Sequence, residues 1–316
     1  MSDTPPHLSD RERLRGVWAA MPTPWTATGE VDTGVVRELV QRYAALGLHG
    51  AYTTGTDGEM HVVELDDVRR LTAAFGQAAA DVGLPAQIGC SWSHTAGVIE
   101  RARIAREAGV GIIQVALPSW IPLSDAEVRD FFAALHDAVP DMRIVHYNIA
   151  RSGRFLTGTD YRVLLQVAPN LVGSKHTGGD VGSLIEIVQA TPELDHFVVD
   201  GQIVPGALFG ARGFYSFLAN LAPHVALELW RHCENGAWER AARLRERIDQ
   251  LFRTWLGTTG DVSASSALGK IATAAGILPG MPLAVRPPYR SGDTTHVATL
   301  RDLIERSFPE FTVHDH

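Results

Sequence analysis

Lysine is almost missing from this chain: of its 28 basic residues only two, Lys175 and Lys270, are not arginine. Where a generic positive charge is needed the sequence uses arginine, so each lysine marks a place for something arginine cannot do. Arginine stays protonated, whereas a desolvated lysine can lose its proton and act as a nucleophilic amine. Cysteine is equally scarce. Cys90 and Cys233 cannot build a disulfide framework, no CxxC spacing offers a metal site, and both read as small buried apolar residues. A net charge of −8 with no basic run excludes phosphate tracking, so no nucleic-acid partner is expected. No apolar run reaches the roughly 20 residues that span a bilayer. The polar opening MSDTPPHLSDRERLRG lacks the hydrophobic region of a secretory leader, so no membrane association and a cytoplasmic location are expected. No GxGxxG follows the first apolar run, which counts against a dinucleotide site.

What is present is a regular alternation. Short apolar runs rich in Val, Ile, Ala, Phe or Tyr predict strands at Gly16–Met21, Gly50–Thr54, Ala86–Cys90, Ile112–Leu117, Arg143–Asn148, Leu171–His176, Phe197–Gly201 and Gly213–Leu218. Amphipathic stretches between them predict helices, among them Thr33–Leu46, Asp66–Asp81, Thr95–Ala108, Asp125–Ala138 and Asp180–Ala190, several opening on capping residues such as Ser124-Asp125 and Thr159-Asp160. Eight strands in βα alternation favour a closed (β/α)₈ TIM barrel over an open sheet. From about Leu227 the pattern turns helical, with His232–Trp255, Ala264–Ala275 and Thr295–Ser307 and a turn-rich Pro279–Thr294. The expected organisation is a barrel over residues 1–230 and a C-terminal helical extension over 231–316 packed against it.

In such a barrel, catalytic side chains sit at the C-terminal ends of strands and in the loops that follow. The sixth strand ends Gly173-Ser174-Lys175-His176, and strand alternation sends Lys175 either into the barrel or toward the helices. Enclosure by apolar walls favours the free amine that attacks a ketone; the structural alternative is a lysine that snorkels or ion-pairs at a strand end. The fifth strand ends His146-Tyr147-Asn148, where a tyrosine hydroxyl can move protons or merely pack. The second runs into Gly55-Thr56-Asp57-Gly58-Glu59, whose backbone N–H groups can converge on a substrate carboxylate or simply form a glycine-rich turn.

Together these segments resemble the dihydrodipicolinate synthase / N-acetylneuraminate lyase superfamily of class I Schiff-base enzymes, over nearly the whole chain. Gly55-Thr56-Asp57-Gly58-Glu59 is similar to its G-T/S-T-G-E turn, Tyr147-Asn148 to its Y-N motif and Gly173-Ser174-Lys175 to its G-x-K. Asp200-Gly201 with Gly213–Asn220 resembles its seventh- and eighth-strand region, and Ser263–Lys270 its late helix. The resemblance implies that Lys175 forms the Schiff base with a 2-keto acid, that Tyr147 relays protons, and that Gly55, Thr56 and Asp57 hold the substrate carboxylate. It also implies a homo-oligomer, tetramer or dimer, with neither metal nor dissociable cofactor.

Departures from the family pattern matter as much. Asp57 replaces a hydroxyl residue, and a carboxylate there repels a substrate carboxylate unless it is protonated, turned away or used for another group. Trp120 stands where dihydrodipicolinate synthases supply a second tyrosine from the neighbouring subunit, so that shared relay cannot operate. Ile149-Ala150-Arg151-Ser152-Gly153 is one residue shorter than the usual segment, with Arg151 still a candidate carboxylate ligand. The substrate's far end is expected to meet Trp120, Arg151, Gln202 and Asn220. His146 and His176 should point away from Tyr147 and Lys175 and be structural, whereas His61 and Asp57 are candidate extra acids or bases. The first functional reading is an aldolase acting on pyruvate or a related 2-keto acid. The second is a dehydratase or decarboxylating dehydratase of a deoxy-keto sugar acid, and the third a non-catalytic keto-acid-binding barrel.

Overall fold

A computed structural model describes residues 13–313, so most of the polar opening segment lies outside the described residues. The eight short apolar runs form parallel strands, each too short to do more than cross one barrel wall. They are β1 (Gly16–Ala20), β2 (Gly50–Thr53), β3 (Ala86–Gly89), β4 (Ile112–Val115), β5 (Arg143–Ile149), β6 (Leu171–Thr177), β7 (Asp195–Val199) and β8 (Gly213–Ser216). Each pairs with its sequence neighbour, and β8 pairs with β1 to close the barrel. The register places Tyr147 beside Lys175, Lys175 beside Phe197, and Trp18 beside Tyr215, which sends this set of side chains inward. Trp18, Tyr52, Ile112, Val145, Phe197 and Tyr215 pack together inside the barrel. Residues of opposite parity, such as Val17, Ile113 and Val198, pack outward under the helices.

The helices are α1 (Thr33–Ala45), α2 (Leu65–Val82), α3 (Thr95–Glu107), α4 (Asp125–Ala138), α5 (Gly158–Val167), α6 (Val181–Ala190), α7 (Ile203–Leu208), α8 (Pro223–Glu234), α9 (Trp238–Leu256), α10 (Ser265–Ala275) and α11 (Thr294–Ser307). None among the described residues is long and apolar enough to cross a membrane. Ser124 caps α4 through a reciprocal bond with Glu127, and Thr157 caps α5 through one with Asp160, so the cap of α5 lies two residues before the expected Thr159.

One sequence expectation needs correction, and one helix lies outside those expected. The single helix expected over His232–Trp255 is two, because Gly236 adopts a left-handed φ of 66° and turns the chain between α8 and α9. The six-residue α7, interrupted by Pro205 and Gly206, is too short to carry a helical period and leaves no amphipathic signal in the sequence. Gly173 of the G-x-K segment is required by packing: a Cβ there would lie 2.5 Å from the Asp195 carbonyl oxygen of β7. This close approach lets β6 and β7 pair immediately before the lysine.

Candidate active site

Lys175 points into the barrel, and only 3% of it is exposed. Its Nζ donates to the Tyr52 hydroxyl at 2.8 Å. It also lies 4.2 Å and 4.7 Å from the ring centroids of Tyr147 and Tyr215, so two π faces flank the amine while Tyr52 meets it with its oxygen. The Tyr215 hydroxyl is turned away and donates to Gln87 Oε1 at 2.5 Å. Burial, reinforced by Asp57 and the neighbouring tyrosines, pushes the Tyr52 hydroxyl well above its ordinary range, so it stays protonated.

Above this cage opens a cavity of about 490 Å³ whose wall includes Tyr147, Thr56, His61, Arg151 and Tyr289. Its lining is rich in hydroxyls, with Ser91, Ser93, Ser119, Ser152, Ser263 and Ser265 all contributing. The Ser152 hydroxyl is buried with no protein partner. His61 packs edge-on against Tyr289, at 4.7 Å between ring centroids, and burial lowers its pKa.

The turn after β2 is held by unusual backbone geometry. Thr54 and Glu59 adopt left-handed φ values of 53° and 59°. Gly55 must lack a side chain, because its Cβ would fall 2.3 Å from the Tyr52 ring and 2.8 Å from the Tyr52 hydroxyl. Asp57 accepts a hydrogen bond from Ser265 at the start of α10. Burial raises the Asp57 pKa, opposed by that bond and by the charges of Lys175 and Arg151. Glu59 is fully buried in an ion pair with Lys270, at 2.5 Å. It also accepts from Trp25 Nε1 at 3.0 Å and from the Arg286 backbone N–H at 3.0 Å. The second lysine of the chain is therefore architectural, reaching from α10 to the turn.

Of the residues expected to meet substrate, the structure brings Thr56, Tyr147 and Arg151 to the cavity wall, with Gly55 and Asp57 in the adjoining turn. The other three lie elsewhere. Asn220 is fully buried, and its amide is spent on the fold: Oδ1 accepts from Tyr43 at 2.6 Å and Nδ2 donates to the Ala20 carbonyl at 2.8 Å. Its expected role in substrate binding is corrected to a clamp between β1 and α1. Gln202 donates to the Gly178 carbonyl at 3.3 Å and joins the loops after β6 and β7. Trp120 is 92% exposed on the loop after β4, beside the exposed Ile121.

His146 and His176 do face outward. His196 Nε2 donates to the Thr191 carbonyl at 2.8 Å, so its Nδ1 accepts from Ser174, at 2.7 Å, and Ser174 accepts from His176 Nε2, at 2.7 Å. Burial holds His146 down at about 3 and His196 at about 4, and His176 well below the ordinary range, which keeps all three neutral. Sequence reasoning missed Tyr52, Tyr215, Glu59 and Ser265. Both tyrosines were within expected strands, but their inward parity depends on the barrel register.

Comparison with known proteins is consistent with this layout. The model of the dihydrodipicolinate synthetase family matches residues 13–306. A 4-hydroxy-tetrahydrodipicolinate synthase of Thermomicrobium roseum is 30% identical over 257 residues, covering 80% of this chain and 84% of that protein. Among solved structures, a catalytic lysine mutant of the Ruminococcus gnavus sialic acid aldolase superposes with a TM-score of 0.86 at 22% identity, covering 96% of this chain and all of that one. YagE of E. coli K12, a prophage protein of the dihydrodipicolinic acid synthase family in complex with pyruvate, superposes with a TM-score of 0.82 at 22% identity, over 92% of this chain and 98% of its own. The chain belongs to the dihydrodipicolinate synthetase family, and it is a lyase of the class I type.

Proposed function

We propose that this family member is an aldolase that joins Lys175 to the keto carbon of pyruvate or a related 2-keto acid and cleaves or forms the adjacent carbon–carbon bond. The observation that carries the reading is the buried Lys175 amine, held within a tyrosine cage directly behind the cavity wall formed by Tyr147. The free amine attacks C2, the resulting carbinolamine loses its oxygen as water, and an iminium remains. In the cleavage direction the scissile bond's electrons flow into the iminium to give an enamine, while the hydroxyl proton leaves through a base. Protonation of the enamine and hydrolysis release the keto acid. Tyr147, which lines the cavity beside the lysine, is suited to move the proton. Arg151 and the turn at Thr56 offer a cation and backbone donors for the carboxylate. The pyruvate bound by YagE supports a small keto acid as the substrate core.

One observation favours dehydration as the second reading. Asp57 is an acid with a raised pKa beside the cavity, suited to protonate a leaving hydroxyl. Synthesis of the dihydrodipicolinate precursor fits less well, since Trp120 carries no hydroxyl. The exposed Trp120–Ile121 tip instead supports burial in a homo-oligomer.

Incubation with pyruvate and with longer 2-keto acids, followed by borohydride and peptide sequencing, tests the reading. A reduced adduct on Lys175 that is lost in Lys175→Arg is the expected result. An adduct on Lys270, or none with any acid, would refute it. Release of free pyruvate from an aldol substrate separates the aldolase from a dehydratase, which loses water without shortening the carbon chain.

A further inference from the structure

A protonated imine is a cation, and among the described residues no carboxylate lies within ion-pair distance of Lys175 Nζ. The charge must be solvated by something else. We propose that Tyr52 is the positioning residue of Lys175: its hydroxyl oxygen orients the nitrogen between the rings of Tyr147 and Tyr215, whose π faces stand in for a counter-ion. The proposal rests on the Schiff-base reading and adds a residue to it.

The geometry is specific to Tyr52. Tyr215 cannot turn its hydroxyl to the amine while it donates to Gln87, and Tyr147 faces the cavity. Tyr52 alone places an oxygen on Nζ, at 2.8 Å. Its ring is fixed edge-on to Tyr215, with centroids 4.8 Å apart, and roofed by the bare backbone of Gly55. The chain has thus kept a gap in the turn where a Cβ would displace this tyrosine. The ring centroids of Tyr147 and Tyr215 lie within the ~6 Å reach of cation–π attraction, in a site shielded from water.

Two consequences follow from the chemistry. The imine nitrogen retains one hydrogen, and donating it to Tyr52 Oη fixes the plane of the C=N bond. That plane decides whether the bond to be broken, or the C3–H to be lost, lies parallel to the π system that receives its electrons. The Tyr52 hydroxyl therefore governs enamine formation, whereas the rings of Tyr147 and Tyr215 govern how much iminium accumulates.

The test uses the full chain with pyruvate as probe and reads two quantities: the fraction trapped on Lys175 by borohydride at saturating pyruvate, and the rate of deuterium exchange at C3 of pyruvate in D₂O. Tyr52→Phe keeps the ring and removes the oxygen. It is expected to trap within about threefold of wild type while exchange slows at least tenfold. Tyr215→Leu removes one of the two π faces and is expected to lower the trapped fraction itself at least tenfold. Exchange by Tyr52→Phe at the wild-type rate would overturn the orienting role, and a wild-type trapped fraction in folded Tyr215→Leu would overturn the cage. If Tyr215→Leu does not fold, exchange by Tyr52→Phe decides alone. Absence of any adduct in wild type would refute the Schiff-base reading, and this proposal with it, whereas an adduct with unaltered Tyr52→Phe exchange refutes only the proposal.

Discussion

Glu59→Gln is the most informative single change to the scaffold of the site, because its cost has two parts that separate with pH. In the wild type the buried Lys270 ammonium has Glu59 as its ion-pair partner, and burial outweighs that partner to lower the lysine to about 8 from 10.5. Removing the carboxylate charge leaves burial and the Arg286 charge acting alone, and the amine sheds its proton. The lysine thus limits the damage. Below the native value the variant forfeits a proton that the wild type keeps, at about 1.4 kcal/mol per pH unit. That is on the order of 1 kcal/mol at pH 7 and about 3 kcal/mol at pH 6. The sign follows from linkage: a lysine lowered in the folded state costs stability below its folded pKa, and the cost shrinks as pH rises toward the unfolded value. A second part does not depend on pH. Glu59 uses Oε1 for Lys270 and Trp25 and Oε2 for the Arg286 N–H, so an amide must set its NH₂ against a donor, at about 1–3 kcal/mol. Urea titrations followed by tryptophan emission, run between pH 6 and 9, measure both parts. A stability difference that stays constant over that range would refute the argument, since it would mean that Lys270 keeps its charge without Glu59.

Two further changes test other parts of the site. Asn220→Ala should destabilise the fold by about 2–4 kcal/mol, because it orphans the buried Tyr43 hydroxyl and the Ala20 carbonyl; the folded fraction should trap pyruvate on Lys175 with unchanged apparent affinity, and a weakened affinity would restore Asn220 as a substrate ligand. Ser265→Ala removes the hydrogen bond that lowers the raised pKa of Asp57. A carboxyl raised in the folded state costs stability as pH rises through its folded value, so this variant should lose about 1–2 kcal/mol at pH 8 and almost nothing at pH 4, read from thermal midpoints.

The barrel was legible in the sequence because strands covered on both faces are written as unbroken apolar runs, and each of the eight expected runs overlaps a strand, Phe197–Gly201 starting two residues after β7 begins. Lys175 was legible for a compositional reason: a chain that avoids lysine exposes the places where it does not. The same reasoning singled out Lys270, whose partner Glu59 lies 211 residues away and could not be paired with it by any local signal. Loop residues were less legible. Asn220 and Trp120 sit in the right stretches of chain, but whether a loop side chain turns into the cavity, into the core or out to solvent depends on packing that no periodicity encodes. Tyr52 illustrates the intermediate case. Its strand was evident, yet its face follows only from the pairing of Ala20 with Tyr52 and Tyr147 with Lys175 around the closed sheet.

The ties between the turn after β2 and the chain beyond Ser265 also set an order of events during synthesis. Asp57 and Glu59 find Ser265, Lys270 and the Arg286 N–H across 208, 211 and 227 residues of chain. A ribosome adding roughly 5–20 residues per second takes on the order of 10–40 s to deliver those partners after the turn has emerged. Through that interval Asp57 lacks Ser265, and Glu59 has Trp25 but neither the Lys270 charge nor the Arg286 N–H to offset its burial. The candidate pocket is therefore finished last, when the tail docks, and a nascent barrel carries its lysine before the turn after β2 has all its ties.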